Sequence, residues 1–307
     1  SFLIDPKVRE HVQQVIQTSV TICGVHLRSV VLFGSAARGQ FSEGVSDVDL
    51  ILVVSDDTPN QVVRKLDTEL ERFEATKGPM KHRSHFLKVF AYKTALFRSH
   101  FVVKDGALRS LDTRRLFNQA GGFSLPLGRL LFSLAPADLV LRNVLRGAVV
   151  VHGENVISSL RLPDPTYSSI VQSFLVSFAL SLFGALTSVL FADGTMFSLE
   201  SLKWFLLDLQ SHHNNRPSGV LDAVRFAEAL HPSPILSQFT NLRQHYARSV
   251  SFSVLCPVYL ILLFLRNSLK VRHSPQNSDP DPLILETAGQ SVENNNPTKL
   301  LGILGEK

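Results

Sequence analysis

Two carboxylates and a glycine–serine pair are the residues of this 307-residue chain whose types and spacing can do chemistry together. In the stretch VVLFGSAARGQFSEGVSDVDLILVV, residues 30–54, Gly34 and Ser35 leave one apolar run, and Asp47 and Asp49 open the next. Residues i and i+2 of a strand share a face, so the spacing predicts Asp47 and Asp49 side by side, with Val48 and Leu50 turned away. Two such oxygen ligands are the smallest protein share of a Mg²⁺ site, because that ion keeps waters and takes its remaining ligands from substrate phosphates. Gly34 lets backbone approach closely, while the Ser35 hydroxyl, the amides of the Ser35–Arg38 turn and the Arg38 guanidinium are groups that hold phosphate oxygens. The bland alternative, in which the aspartates cap a strand edge, leaves the repulsion between two facing carboxylates unexplained.

Alternating helices and strands must position these groups. Asp5 as a cap, Pro6 at the first helical position and Val8, Val12, Val15, Ile16 and Val20 at helical spacing predict a packing helix ended by Gly24. Strands follow at Val25–Phe33 and Val48–Val54, around the small-residue run Gly34–Gly39. Thr58 and Pro59 start a second amphipathic helix, and Phe86–Tyr92 and Ser99–Val103 read as further strands of the same sheet. A helix from Ala137 through Leu145 leads into GAVVVHGEN, after which every signal is helical. The helices expected there are Ser168–Ala192, Leu199–Gln210, Gly219–Leu230, Pro234–Tyr246 and Ser249–Leu269, the last kinked at Pro257. The predicted organisation is α+β: a mixed sheet with flanking helices over residues 1–155, an all-α domain over 156–270, and a polar, disordered tail over 271–307.

Gly34-Ser35, a spacer of eleven residues and Asp47-x-Asp49 together resemble the signature of the nucleotidyltransferase superfamily, the fold shared by polymerase beta, aminoglycoside nucleotidyltransferases and minimal nucleotidyltransferases. The flanking GSAARG and SDVDLILV look like the minimal nucleotidyltransferase and antitoxin branch. The resemblance implies that Asp47 and Asp49 are catalytic and hold Mg²⁺ or Mn²⁺ on a nucleoside triphosphate, ATP among the candidates, while Gly34, Ser35 and Arg38 bind the nucleotide. It implies transfer of a nucleoside monophosphate to a hydroxyl acceptor, a small molecule or a protein, with release of pyrophosphate. Active members typically add a third acidic residue on a later strand. Neither Ser99–Val103 nor Phe86–Tyr92 contains one, Asp105 reads as a turn residue, and His100 is the candidate for that third position. The missing carboxylate keeps a second function open: a weakly active or inactive nucleotide-binding regulator, antitoxin-like, acting on a protein partner.

Composition narrows the field. Hydrophobic residues at 45% and charged residues at 19% exclude wholesale disorder and a long coiled coil. Two cysteines cannot make a disulfide framework and the N-terminal residues do not read as a signal peptide, so the cytosol is the expected compartment. Residues 1–155 hold 20 basic against 15 acidic residues, a mild excess that suits a triphosphate and is too sparse for a dedicated nucleic-acid face. Residues 165–192 and 249–265 carry no charge and approach membrane-spanning length, yet Ser169, Ser173, Ser177, Ser181 and Ala185 recur every four residues, the stripe of a helix laid closely on another in a soluble domain. Arg225 and His231 have the spacing of the HEPN ribonuclease motif, but Phe226 follows the arginine where a polar residue belongs, and the pair reads as a solvated helix end.

Overall fold

The computed structural model describes residues 5–41, 46–77, 99–110, 136–162, 164–190, 194–213 and 219–273. Helix α1, Pro6–Cys23, starts where the Asp5 carboxylate accepts from the Lys7 amide at 2.8 Å, and it buries Val8, Val12 and Val15. Strand β1, Leu27–Phe33, is followed by a one-turn helix α2, Gly34–Ala37, then β2, Asp49–Val54, and α3, Asn60–Lys77. Next come β3, His100–Lys104, a short α4, Asp105–Arg109, then α5, Ala137–Leu145, and β4, Val149–Gly153. The candidate strand Phe86–Tyr92 lies outside the described residues. Strand β4, inside GAVVVHGEN, escaped the sequence reading because a short run of valines after a helix carries no clean two-residue alternation.

The described strands form one mixed sheet in the order β3-β2-β1-β4, with β1 antiparallel to both β2 and β4, and β2 parallel to β3. Alternation divides its side chains between two layers. Val30, Leu32, Leu50, Leu52, Val54 and Val102 pack against α1 and α3. Val31, Phe33, Ile51, Val53, Phe101 and Val103 pack against Leu108 of α4 and Leu141 and Leu145 of α5.

Five longer helices complete the fold: α6, Tyr167–Leu190; α7, Gly194–His213; α8, Val220–Leu230; α9, Pro234–Gln244; and α10, Val250–His273, which runs through Pro257. Helix α7 is their axis, burying Leu199, Leu202, Phe205, Leu206 and Leu209 in a core shared with α8, α9 and α10. The serine stripe of α6 lies on α7: Ser169, Ser173, Ser177 and Ser181 are all buried, and a Cβ on Gly184 would stand 2.4 Å from Ser198 Oγ. That spacing admits only small residues. Helix α5 belongs to both halves, because Leu139 enters the helical core while Leu141 and Leu145 lie under the sheet. Residues up to Asn267 form one compact unit. Helices α6 and α10 are long and apolar enough to cross a membrane by length and composition, and each is less than half buried.

Candidate active site

The turn after β1 and the start of β2 meet through register, since Phe33, the residue before Gly34, pairs with Asp49. Gly34 has φ +72°, a conformation that favours glycine, and a Cβ built there would lie 2.1 Å from Asp49 Oδ2. The carboxylate of Asp49 therefore rests on the bare Cα of Gly34. The turn closes on itself, as Ser35 O accepts from Arg38 N at 3.2 Å and from Gln40 N at 2.9 Å. This brings the Arg38 guanidinium back toward Asp49, close enough for each to act on the other electrostatically. Arg38 Nε is buried with no hydrogen-bond partner among the described residues, and burial lowers the proton affinity of the guanidinium while Asp49 opposes that shift. Ser35 is half-buried at the same turn.

Strand β2 begins at Asp49, so Asp47 sits just ahead of the strand rather than in it. The in-and-out alternation nevertheless continues back through Val48, which is buried, and Asp47, which is half-buried. Asp47 still reaches Asp49: burial first, and the Asp47 charge second, push the Asp49 carboxyl well above the usual carboxylate range. Gly34, Ser35, Arg38, Asp47 and Asp49 are thus brought together.

His100 is not. It pairs in parallel register with Leu50, the neighbour of Asp49, and paired residues share a sheet face. Its ring consequently points into the layer of α1 and α3, where its Nε2 lies 3.1 Å from His11 Nε2 and its Nδ1 meets the Glu74 carboxylate. Burial, then the His100 charge, hold the His11 imidazole down at about 3. The expectation that His100 fills the third position is corrected by this placement, because one residue of strand alternation puts it on the wrong side.

A further acidic group whose charge acts on Asp49 comes from α7. Glu200 raises the Asp49 carboxyl further and Lys203 opposes it, so both side chains act on Asp49 from the helical half. Glu200 is buried, ion-paired to Lys203 one turn along, and 3.6 Å from Arg243 Nη1 of α9. A second contact joins the halves nearby, where the Gln40 side chain occupies the place a Cβ on Gly219 would take at the start of α8. The sequence did hold a signal for this. Glu200 and Lys203 interrupt TMFSLESLKWFLL, an otherwise uncharged helical run, at a spacing that pairs them. Arg225 is exposed and paired with Asp222 at 3.6 Å, and the His231 ring stacks on Tyr259, so these two serve the helix end and the core.

Residues 24–89, which contain Gly34, Ser35, Arg38, Asp47 and Asp49, match the family model of the nucleotidyltransferase domain. The fold is similar to spectinomycin adenyltransferase AAD(9) from Enterococcus faecialis, solved with ATP and spectinomycin, at a TM-score of 0.53 and 12% identity over 85% of this chain and 99% of that one. No curated protein sequence matches the chain significantly. Among the described residues no cluster of three or more His, Cys, Asp or Glu side chains is arranged around a metal position, so a metal here would rest on a carboxylate pair completed by substrate oxygens. Residues 24–89 of the chain thus carry a nucleotidyltransferase domain, set in a fold that over most of its length is similar to that adenyltransferase structure.

Proposed function

We propose that this chain moves a nucleoside monophosphate from a nucleoside triphosphate to a hydroxyl acceptor, with Asp47, Asp49, Gly34, Ser35 and Arg38 on the sheet side and Glu200 and Lys203 on the helical side. One observation carries this reading: two carboxylates, a stripped glycine, the Arg38 guanidinium with its buried Nε unpaired among the described residues, and an opposing Glu–Lys pair all act at Asp49. The donor set fits a divalent cation. After burial, the Asp47 charge is what raises the proton affinity of Asp49, and a cation held by both carboxylates would offset that repulsion. Bound there, Mg²⁺ or Mn²⁺ neutralises phosphate charge.

The chain's own groups do the rest. Arg38 and Lys203 pair with phosphate oxygens, the Ser35 hydroxyl donates to one, and Gly34 leaves the room a side chain would occupy. Withdrawal of Lys203 toward phosphate takes a cation off Glu200 Oε2, while Arg243 stays beside Oε1 and holds the carboxylate in place. Glu200 then accepts the proton of the acceptor hydroxyl as its oxygen bonds to the α-phosphorus. The bond from that phosphorus to the pyrophosphate oxygen breaks, and pyrophosphate leaves with the electron pair. Positioning and charge neutralisation supply most of the rate.

The experiment is pyrophosphate release from each nucleoside triphosphate with Mg²⁺ and a panel of hydroxyl acceptors, run on the parent and on Asp49→Asn. Release that vanishes in the variant supports the reading. Nucleotide binding by the parent without release across the panel assigns the chain instead to the regulatory alternative.

A further inference from the structure

Helices α6 and α10 leave a large apolar surface that nothing in the described fold covers. Leu175, Leu182 and Leu186 of α6 are 57%, 48% and 59% exposed, and Val254, Val258 and Leu265 of α10 are 47%, 55% and 52% exposed. The two helices lie side by side and antiparallel. Phe174 stacks on Phe264 at 4.3 Å, and at the opposite end Arg248, just before α10, donates to Ser188 O of α6 at 2.8 Å. Helical spacing then fixes which way each stripe points, at about 100° per residue. Taking the Phe174–Phe264 contact as reference, the buried stripe of each helix turns to one side, toward α7, and the exposed stripe turns to the other. Antiparallel direction makes those turns agree, so the exposed stripes of α6 and α10 form one continuous platform on the side away from α7.

We infer that this platform is the interface for a second copy of the chain, two antiparallel helix pairs meeting across a two-fold axis as a four-helix layer. A half-exposed aliphatic side chain presents on the order of 70 Å², so a dozen such residues on the two helices present on the order of 800 Å², which is what one partner of a stable interface buries. The chemistry selects the same occupant. Helix α6 carries no charged residue and α10 has only Arg266 between Val250 and Asn267, so the platform offers a charged partner nothing to pair with. The basic residues of α10, Arg266, Lys270 and Arg272, are confined to its last two turns at one end of the platform, whereas a helix that lies on anionic lipid carries them along its polar face, and Arg248 is turned inward to Ser188. A face this apolar is satisfied by an identical face.

The test uses the whole chain in sedimentation velocity, with Leu186→Lys and Val258→Lys combined in one variant and Leu265→Glu as a second. Both alter exposed positions, and far-UV circular dichroism checks that each folds. The expected result is a dimer for the parent and at least a tenfold weaker dimer for each variant. A parent that stays monomeric at tens of micromolar, or variants that dimerise like the parent, overturn the inference. So does a monomeric parent that floats with phosphatidylcholine–phosphatidylglycerol vesicles, which would assign the platform to lipid.

Discussion

Asp49 and Asp208 are both carboxyls whose proton affinity is raised first by burial, and their surroundings are opposite in kind. Around Asp208 the groups that hydrogen-bond it are neutral donors, with the Asp138 charge acting from farther off: Ser173 Oγ donates to Oδ2 and Asn143 Nδ2 to Oδ1, while Ser211 Oγ donates onward to Asn143 Oδ1 at 2.5 Å. Both oxygens are satisfied, and α5, α6 and α7 are tied together. Around Asp49 the neighbours are ions of both signs, Asp47, Glu200, Lys203 and Arg38, with the backbone of Gly34 pressed close. A buried carboxyl with its hydrogen bonds complete is a structural fastening. A buried carboxyl amid charges that only partly cancel is arranged for something that arrives later.

The sharpest way to break this contrast is to remove the charge at each place. Asp49→Asn is expected to lower nucleotide transfer on the order of 10²–10³-fold while leaving the thermal midpoint equal or higher, since it relieves repulsion from Asp47 and Glu200. Pyrophosphate release and calorimetry on the same sample check both halves. Glu200→Gln should cost about 10² in kcat with a smaller change in KM, if the carboxylate takes the acceptor proton. Were KM alone to move, Glu200 would only hold Lys203 in place. Gly34→Ala sets a Cβ against Asp49 Oδ2 and holds a positive φ, so a stability loss of about 1–3 kcal/mol with loss of triphosphate binding is expected in denaturant titration and calorimetric titration.

Asp208 should respond through pH rather than activity. Its carboxyl sits at about 7 in the folded chain against an ordinary 3.8. Between those values the unfolded chain ionises while the folded chain keeps its proton, so this residue makes stability fall as pH rises from about 4 to 7. His11, held at about 3 against an ordinary 6.5, contributes the opposite slope between about pH 3 and 6.5. Asp208→Asn, which keeps acceptor and donor, should flatten the first slope and leave transfer unchanged; denaturant midpoints from pH 4 to 8 decide it. Smallest of all, Ser35→Ala should weaken triphosphate binding by about 1 kcal/mol, the scale of one hydrogen bond.

The sheet side of the site was legible because its signals are local. Gly34, Ser35, Arg38, Asp47 and Asp49 lie within one strand–turn–strand unit, and two-residue alternation says which of them face together. The same rule misjudged His100, since a strand's own sequence does not reveal its register to the neighbouring strand, and a one-residue difference reverses the face. Glu200 and Lys203 were visible as an odd charged pair, but that their charges act on Asp49 depends on how the helices fold back toward the sheet. That is an electrostatic coupling between residues 151 apart in the chain, taking Asp49 with Glu200, and no local pattern encodes it. The helices themselves were read closely, Ala137–Leu145 to the residue, because capping and apolar periodicity are properties of each segment alone.

Helix α5 gives the two halves a common inheritance. Leu139 fills the helical core from the same nine-residue rod whose Leu141 and Leu145 floor the sheet, and Asn143 beside them reaches Asp208. A chain cut after residue 155 would carry Leu139 away from the helical core it fills, and the remaining helices would keep a socket of matching shape. The halves therefore do not behave as exchangeable cassettes. A change of acceptor specificity brought about by swapping in a foreign helical half would have to bring a matching α5 with it, and that helix and the β4 strand after it would still have to fit the sheet, so neither end of this rod is a clean seam for recombination.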